Sequence, residues 1–128
     1  MRDAWPGHLM HIGHLDVEMW RACRLVVDTG IHLEGWTRAQ AIDDLAQRLT
    51  LALPAIEAEV DRCIAMPAQA LGNMVGGLKF RELGQRAQQR LGERFSVRAY
   101  YDQLMAAGAV TLPVLREVID AWLEHHAD

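Results

Sequence analysis

The chain has little lysine, few rings and almost no cysteine, and each shortage closes off a class of protein. Lys79 is its single lysine; arginine supplies the rest of the positive charge. With 17 acidic against 13 basic residues the net charge is −4, which leaves no basic footprint for nucleic acid. The two cysteines, Cys23 and Cys63, lie far apart, each inside an apolar helical pattern. They read as reduced core thiols, neither a bridge nor a redox pair. Aromatic residues make up only 6%, so the four tryptophans are the large anchors of an otherwise aliphatic core. No apolar run approaches the roughly 20 residues that span a membrane, and the first residues hold no apolar leader. The expectation is a cytoplasmic protein with no membrane partner. No stretch alternates with the period of a strand, and there is no internal repeat or low-complexity run. What remains is 51% apolar over 128 residues, enough for one domain with a real core. Arginine in place of lysine, with much alanine and leucine, fits a GC-rich bacterial source.

The densest chemistry lies between His14 and Thr37. Read as a helix, this stretch places Leu15, Met19, Trp20, Ala22, Cys23, Val26, Val27 and Ile31 around most of its circumference. A helix of that kind is normally buried. Arg24, Asp28 and His32 recur every fourth residue and share one stripe. On a buried helix such a stripe faces partners, a cavity or a site, because unpaired buried charge is costly. Arg24 can brace Asp28, and Asp28 can orient His32, so the row suits acid-base chemistry or anion binding. The same spacing also fits a solvated face with two ordinary i, i+4 pairs.

Taken in order, residues 1–13 read as an irregular arm punctuated by Pro6, Gly7 and Gly13. His8, His11 and His14 recur along it every third residue, a spacing that could hold a metal or simply carry surface histidines. The helical domain runs over 14–128. Its first helix covers about 15–32 and stops at Gly30 and Gly35. Thr37 and Gln40 form a capping box for a second helix to about Leu49, with Trp36 just before the cap. Pro54 opens a third helix over 55–65, with Ile56, Val60, Cys63 and Ile64 inward, broken by Met66-Pro67. A fourth helix, 68–91, holds Gly72, Gly76 and Gly77, which imply a close approach by another backbone or a ligand, with Asn73 the one polar group among them. Ser96 caps a fifth helix over 97–107 carrying Tyr100, Tyr101, Leu104 and Met105. Gly108 ends it. A sixth helix, 113–125, turns Val114, Leu115, Val118, Ile119 and Trp122 inward and leaves His125 and His126 at the surface. The fold class is therefore all-α, one compact domain of about six helices.

Arg24-Leu-Val-Val-Asp-Thr-Gly-Ile-His32, followed by Gly35-Trp36-Thr37-Arg38-Ala39-Gln40-Ala41-Ile42, resembles the signature of the bacterial domain-of-unknown-function family 885. The likeness continues through Glu59-Val60-Asp61-Arg62, Pro67-Ala68-Gln69-Ala70-Leu71, Gly76-Gly77-Leu78-Lys79, Leu91-Gly92-Glu93-Arg94-Phe95 and Gly108-Ala109-Val110-Thr111-Leu112-Pro113. It spans residues 13–123 and corresponds to the C-terminal part of full-length members, which resemble gluzincin-type zinc metallopeptidases. The resemblance implies a His-Glu-x-x-Pro-Gly-His type zinc helix and a downstream glutamate. This chain has no such motif. Its nearest echo is Arg2-Asp3-Ala4-Trp5-Pro6-Gly7-His8, where Arg2 would stand for the first ligand and Asp3 for the general base. Arginine does not ligate zinc. Asn73 stands where members usually carry tyrosine, and Tyr100-Tyr101-Asp102 where they usually carry Phe-His-Asp.

These observations order three readings. In the first, the chain has lost zinc catalysis and keeps a pocket lined by His32, Asp28, Arg24, Asn73 and Tyr101, between helices one, four and five. That pocket binds a small molecule or peptide, or performs metal-free acid-base chemistry, and needs no cofactor. In the second, the chain is a non-catalytic interaction module, possibly a homodimer, because half of a larger domain exposes surface that the missing half once covered. In the third, zinc is held by His8, His11 and His14 or by a partner chain, and the chain is a peptidase.

Overall fold

The computed structural model describes residues 8–126. Among them are six α-helices, one short 3₁₀ turn and no strand. The helices are α1 (His8–Leu33), α2 (Arg38–Arg48), α3 (Leu53–Ala65), α4 (Leu71–Leu91), α5 (Val97–Ala106) and α6 (Leu112–His126). The all-α expectation holds. The chain divides into two compact units, Met1–Met74 and Val75–Asp128, and the boundary falls inside α4.

In the first unit, three helices converge through apolar rows set at helical spacing. Cys23 and Val27 of α1, with Ile31 one turn on, face Ala41 and Leu45 of α2 and Ile56, Val60 and Cys63 of α3. Ala70 closes the cluster, and Trp36, Ile42 and Leu49 pack on it. Both cysteines are free and buried, as their apolar settings implied. The capping box on α2 is complete. The Thr37 hydroxyl accepts from the Gln40 backbone N–H, and the Gln40 side chain accepts from the Thr37 N–H. Trp36 lies flat over Gly30, whose carbonyl accepts its backbone N–H at 2.9 Å.

In the second unit, Leu83, Ala87 and Leu91 of α4 pack with Tyr100 and Leu104 of α5 and Leu115, Ile119 and Leu123 of α6. Each set keeps the four-residue helical interval. The Tyr100 hydroxyl donates to the Phe80 carbonyl at 2.6 Å, and Arg86 pairs with Asp120 across α4 and α6 at 3.1 Å. Ser96 caps α5, as its sequence position implied, and Gly92 and Gly108 occupy left-handed turns at φ 54° and 67°.

Several boundaries and faces differ from the sequence reading. Helix α1 starts at His8, so within the described residues there is no irregular arm; Leu9, Met10, Ile12 and Leu15 sustain the helix and Gly13 costs it only about 1 kcal/mol. Pro6 and Gly7 lie outside the described residues. Helix α1 is also not buried over its length, since Leu15, Met19 and Val26 are exposed. Ile64 and Val114 face outward, one position off the buried rows, and Leu123 takes an inward place instead. Helix α4 begins at Leu71 rather than 68, because Ala68 sits at φ 66°, outside helical space. A Cβ placed on Gly72, Gly76 or Gly77 would meet nothing within 4 Å, so the expected close approach at those glycines is absent from the structure.

Candidate functional site

The polar row on α1 lies one residue round from the row Cys23, Val27, Ile31, a rotation of about 100°. That step turns it toward α3 and the turn that follows α3. Arg24 is only 3% exposed. Its Nε lies 2.6 Å from Glu59 Oε1 of α3, a close charge pair without hydrogen-bond alignment, and its outer nitrogen donates to Gln69 Oε1 at 2.9 Å. The guanidinium also lies 5.1 Å from the centre of the Trp20 ring. Asp28 is 2% exposed, and its Oδ1 accepts the backbone N–H of Ala68 at 3.0 Å. Asp28 Oδ2 is buried with no hydrogen-bond partner. His32 is exposed on the last turn of α1. Its Nε2 lies 3.0 Å from the Cys63 carbonyl. A carbonyl only accepts, so Nε2 carries the proton and Nδ1 is the basic nitrogen of the neutral ring. That contact also satisfies one of the end carbonyls of α3 that the helix cannot pair itself.

The expected internal relay, Arg24 to Asp28 to His32, is therefore replaced by three separate cross-links. Each residue reaches away from α1: Arg24 to α3 and Gln69, Asp28 to Ala68, and His32 to Cys63. Three of the segments that carried the sequence resemblance meet in this network. Glu59, 8% exposed, is the functional group that the sequence reading passed over. Its signal was its place beside Val60 on the inward side of α3. Burial pushes the Cys63 thiol above its ordinary range, and the nearby charge of Glu59 pushes it further. Cys23 is raised chiefly by burial.

Asn73 is exposed rather than held against a neighbouring helix. Tyr101 belongs to the second unit; it is exposed on α5, with its ring 5.6 Å from that of Tyr100. His11 and His14 stand one turn apart on α1, and the side chain of His8 lies outside the described residues, as do Arg2 and Asp3. Among the described residues, no group of three or more His, Cys, Asp or Glu side chains is placed to hold a metal ion. The donor set that a zinc peptidase requires is thus not met by these residues.

Two of the hollows in the first unit lie beside Trp20. One, of about 150 Å³, is lined by Asp16, Val17, Met19, Arg48, Leu49 and Leu51. Another, of about 470 Å³, is lined by Leu51, Ala55, Ala58, Glu59 and Arg62. Trp20 and Leu51 belong to both. Arg48 is held by the Asp44 carboxylate at 2.9–3.0 Å, and the hydrogen bond to Asp44 raises the Arg48 guanidinium pKa.

The model of a family described as bacterial proteins of unknown function, DUF885, matches residues 4–119. No curated protein matches the chain. A solved structure described as the "putative lipoprotein from Colwellia psychrerythraea" superposes with a TM-score of 0.88 at 40% identity, over 90% of this chain. This chain covers 20% of that one, so it spans about a fifth of its relative's length. The expectation of a cytoplasmic protein does not survive this likeness, because a lipoprotein points to a membrane-anchored or extracytoplasmic place. The missing leader, on which that expectation rested, is no guide in a sequence that matches so small a part of its relative. No described helix is long and apolar enough to cross a membrane. By the match across nearly its whole length, the chain belongs to the DUF885 family of bacterial proteins.

Proposed function

We propose that the chain is a helical binding module, acting outside the cytoplasm by packing against other polypeptide, itself or a partner. The observation that carries this reading is the first third of α1, where Leu9 (84% exposed), Met10, Ile12, Leu15, Val17 and Met19 stand in solvent on successive turns. An apolar surface of that continuity marks an interaction site rather than a scatter of single exposed residues. The polar row supports the same reading, since Arg24 and Asp28 are spent on holding α1 to α3 and to the 66–70 turn. Buried thiols of raised pKa suit an oxidising compartment, where an exposed thiolate would react. The test is light scattering at micromolar concentration together with binding of an apolar dye. The module self-associates or binds the dye, and Leu9→Ser, Ile12→Ser and Leu15→Ser together remove that behaviour without loss of helical signal. A monomer that binds no dye overturns the reading.

A second reading has one observation in its favour. His32 presents a basic Nδ1 at the surface while Nε2 is anchored on Cys63, the posture of a general base. His32→Gln keeps a donor for the Cys63 carbonyl and removes the base. Hydrolysis of nitrophenyl esters or short peptides that vanishes in this variant supports acid-base chemistry, and equal rates in the two proteins reject it.

A further inference from the structure

We infer that the ridge formed by Trp20 and Leu51 is the floor of a peptide groove. Its ligand carries two bulky apolar side chains between a basic and an acidic residue. This rests on the binding-module reading and names its partner. The hollows on either side of the ridge share only Trp20 and Leu51. Separate hollows flanking one ridge fit successive side chains of a peptide, whereas a single fatty chain needs one continuous channel. Their walls are apolar, with Val17, Met19 and Leu49 on one side and Ala55 and Ala58 on the other.

Charge gives the groove a direction. Asp16 lines the smaller hollow and Arg62 the larger, and neither has an ion-pair partner among the described residues. The other charges are already matched: Arg48 is held by Asp44, and Glu59 by Arg24. The groove is therefore acidic at the α1 end and basic at the α3 end, and a ligand of opposite polarity is favoured over its reverse.

The experiment selects binders from a displayed library of random dodecapeptides. Affinities of the synthetic winners are then measured by fluorescence anisotropy. Enriched peptides carry two large apolar residues flanked by a base and an acid. Their binding falls about tenfold or more in Ala58→Trp, which fills the larger hollow, and by a similar factor in Arg62→Glu. Affinity for Arg62→Glu returns when the peptide's acid is replaced by lysine. Ala58 and Arg62 are both exposed, so circular dichroism of the variants matches the parent. Three results overturn the groove: no enrichment, equal binding by Ala58→Trp, or competition by myristate, which assigns the hollows to lipid. Self-association through Leu9, Ile12 and Leu15 that persists alongside any of these sinks the groove and leaves the module standing. A chain that neither self-associates, binds the dye nor enriches a peptide sinks both.

Discussion

Gly30→Ala is the sharpest test of the packing. A Cβ built on Gly30 lies 2.4, 2.6 and 2.8 Å from three ring carbons of Trp36. Carbon atoms in contact sit about 3.5–4.0 Å apart, so the ring must retreat by roughly 1 Å. Its backbone limits the retreat, because the Trp36 N–H is bonded to the Gly30 carbonyl itself. Overpacking of this kind costs about 1–3 kcal/mol. Against it stands the gain of about 1 kcal/mol for alanine over glycine inside a helix. Contacts as short as 2.4 Å put the packing loss in the upper part of that range, about 2–3 kcal/mol, and a net destabilisation of about 1–2 kcal/mol follows. In urea, with a slope of about 2 kcal/mol/M, the midpoint falls by roughly 0.5–1 M. The decisive control is the same change in a Trp36→Ala background. There the clash is gone, only helix propensity remains, and Gly30→Ala raises the midpoint. A rise in the unmodified chain, or an equal fall in both backgrounds, refutes the argument.

Arg24→Met strands the Glu59 carboxylate in the interior and costs about 3–5 kcal/mol, while Arg24→Met with Glu59→Leu recovers most of it, as thermal unfolding of the two variants shows; a double variant no better than the single one rejects the pairing. Cys23 and Cys63 react with a thiol reagent only in denaturant, since both are buried and burial holds both thiols above their ordinary range; fast labelling of the folded chain contradicts the core. Burial, aided by the charge of Tyr101, raises the Tyr100 phenol from 10.0 to about 12. Its folded value lies above its unfolded one, so the stabilisation it lends is complete below pH 10 and is lost as pH rises through about 12. Absorbance at 295 nm shows a late tyrosinate phase that Tyr100→Phe abolishes; a phase that survives the substitution belongs to another group.

Local chemistry was legible in the sequence wherever it acts over a few residues. Thr37 and Gln40, Ser96, Gly35 and Gly108 mark their helix ends by capping and left-handed turns, both of which are short-range. The rows Cys23, Val27, Ile31 and Ile56, Val60, Cys63 follow from helical period alone. What escaped was set at long range. Glu59 is 35 residues from Arg24, as the sequence numbers give it, and no local rule pairs them. Pro67 marked a turn after the third helix, but nothing local shows that Asp28, 40 residues earlier, accepts the Ala68 amide. The stripe of Arg24, Asp28 and His32 was visible as a stripe, but its partners were not. A polar row on a helix looks the same whether it lines a pocket or ties three segments together.

Ala68 holds a left-handed backbone without being glycine, at a cost of order 1–3 kcal/mol. Asp28 and Gln69, the latter through Arg24, hold the 66–70 turn in that shape from a helix 40 residues earlier in the chain. Locally the turn is framed by Pro67 and by the Gln69 N–H donating to the Met66 carbonyl at 3.2 Å; what α1 adds is the bond that fixes the Ala68 amide. The Asp28 bond to the Ala68 amide, unlike the turn, can form only after α1 has docked beside α3, which places that bond late in folding. The Ala68 amide then becomes a reporter: in a refolding pulse its hydrogen is among the last of the first unit to be protected from exchange.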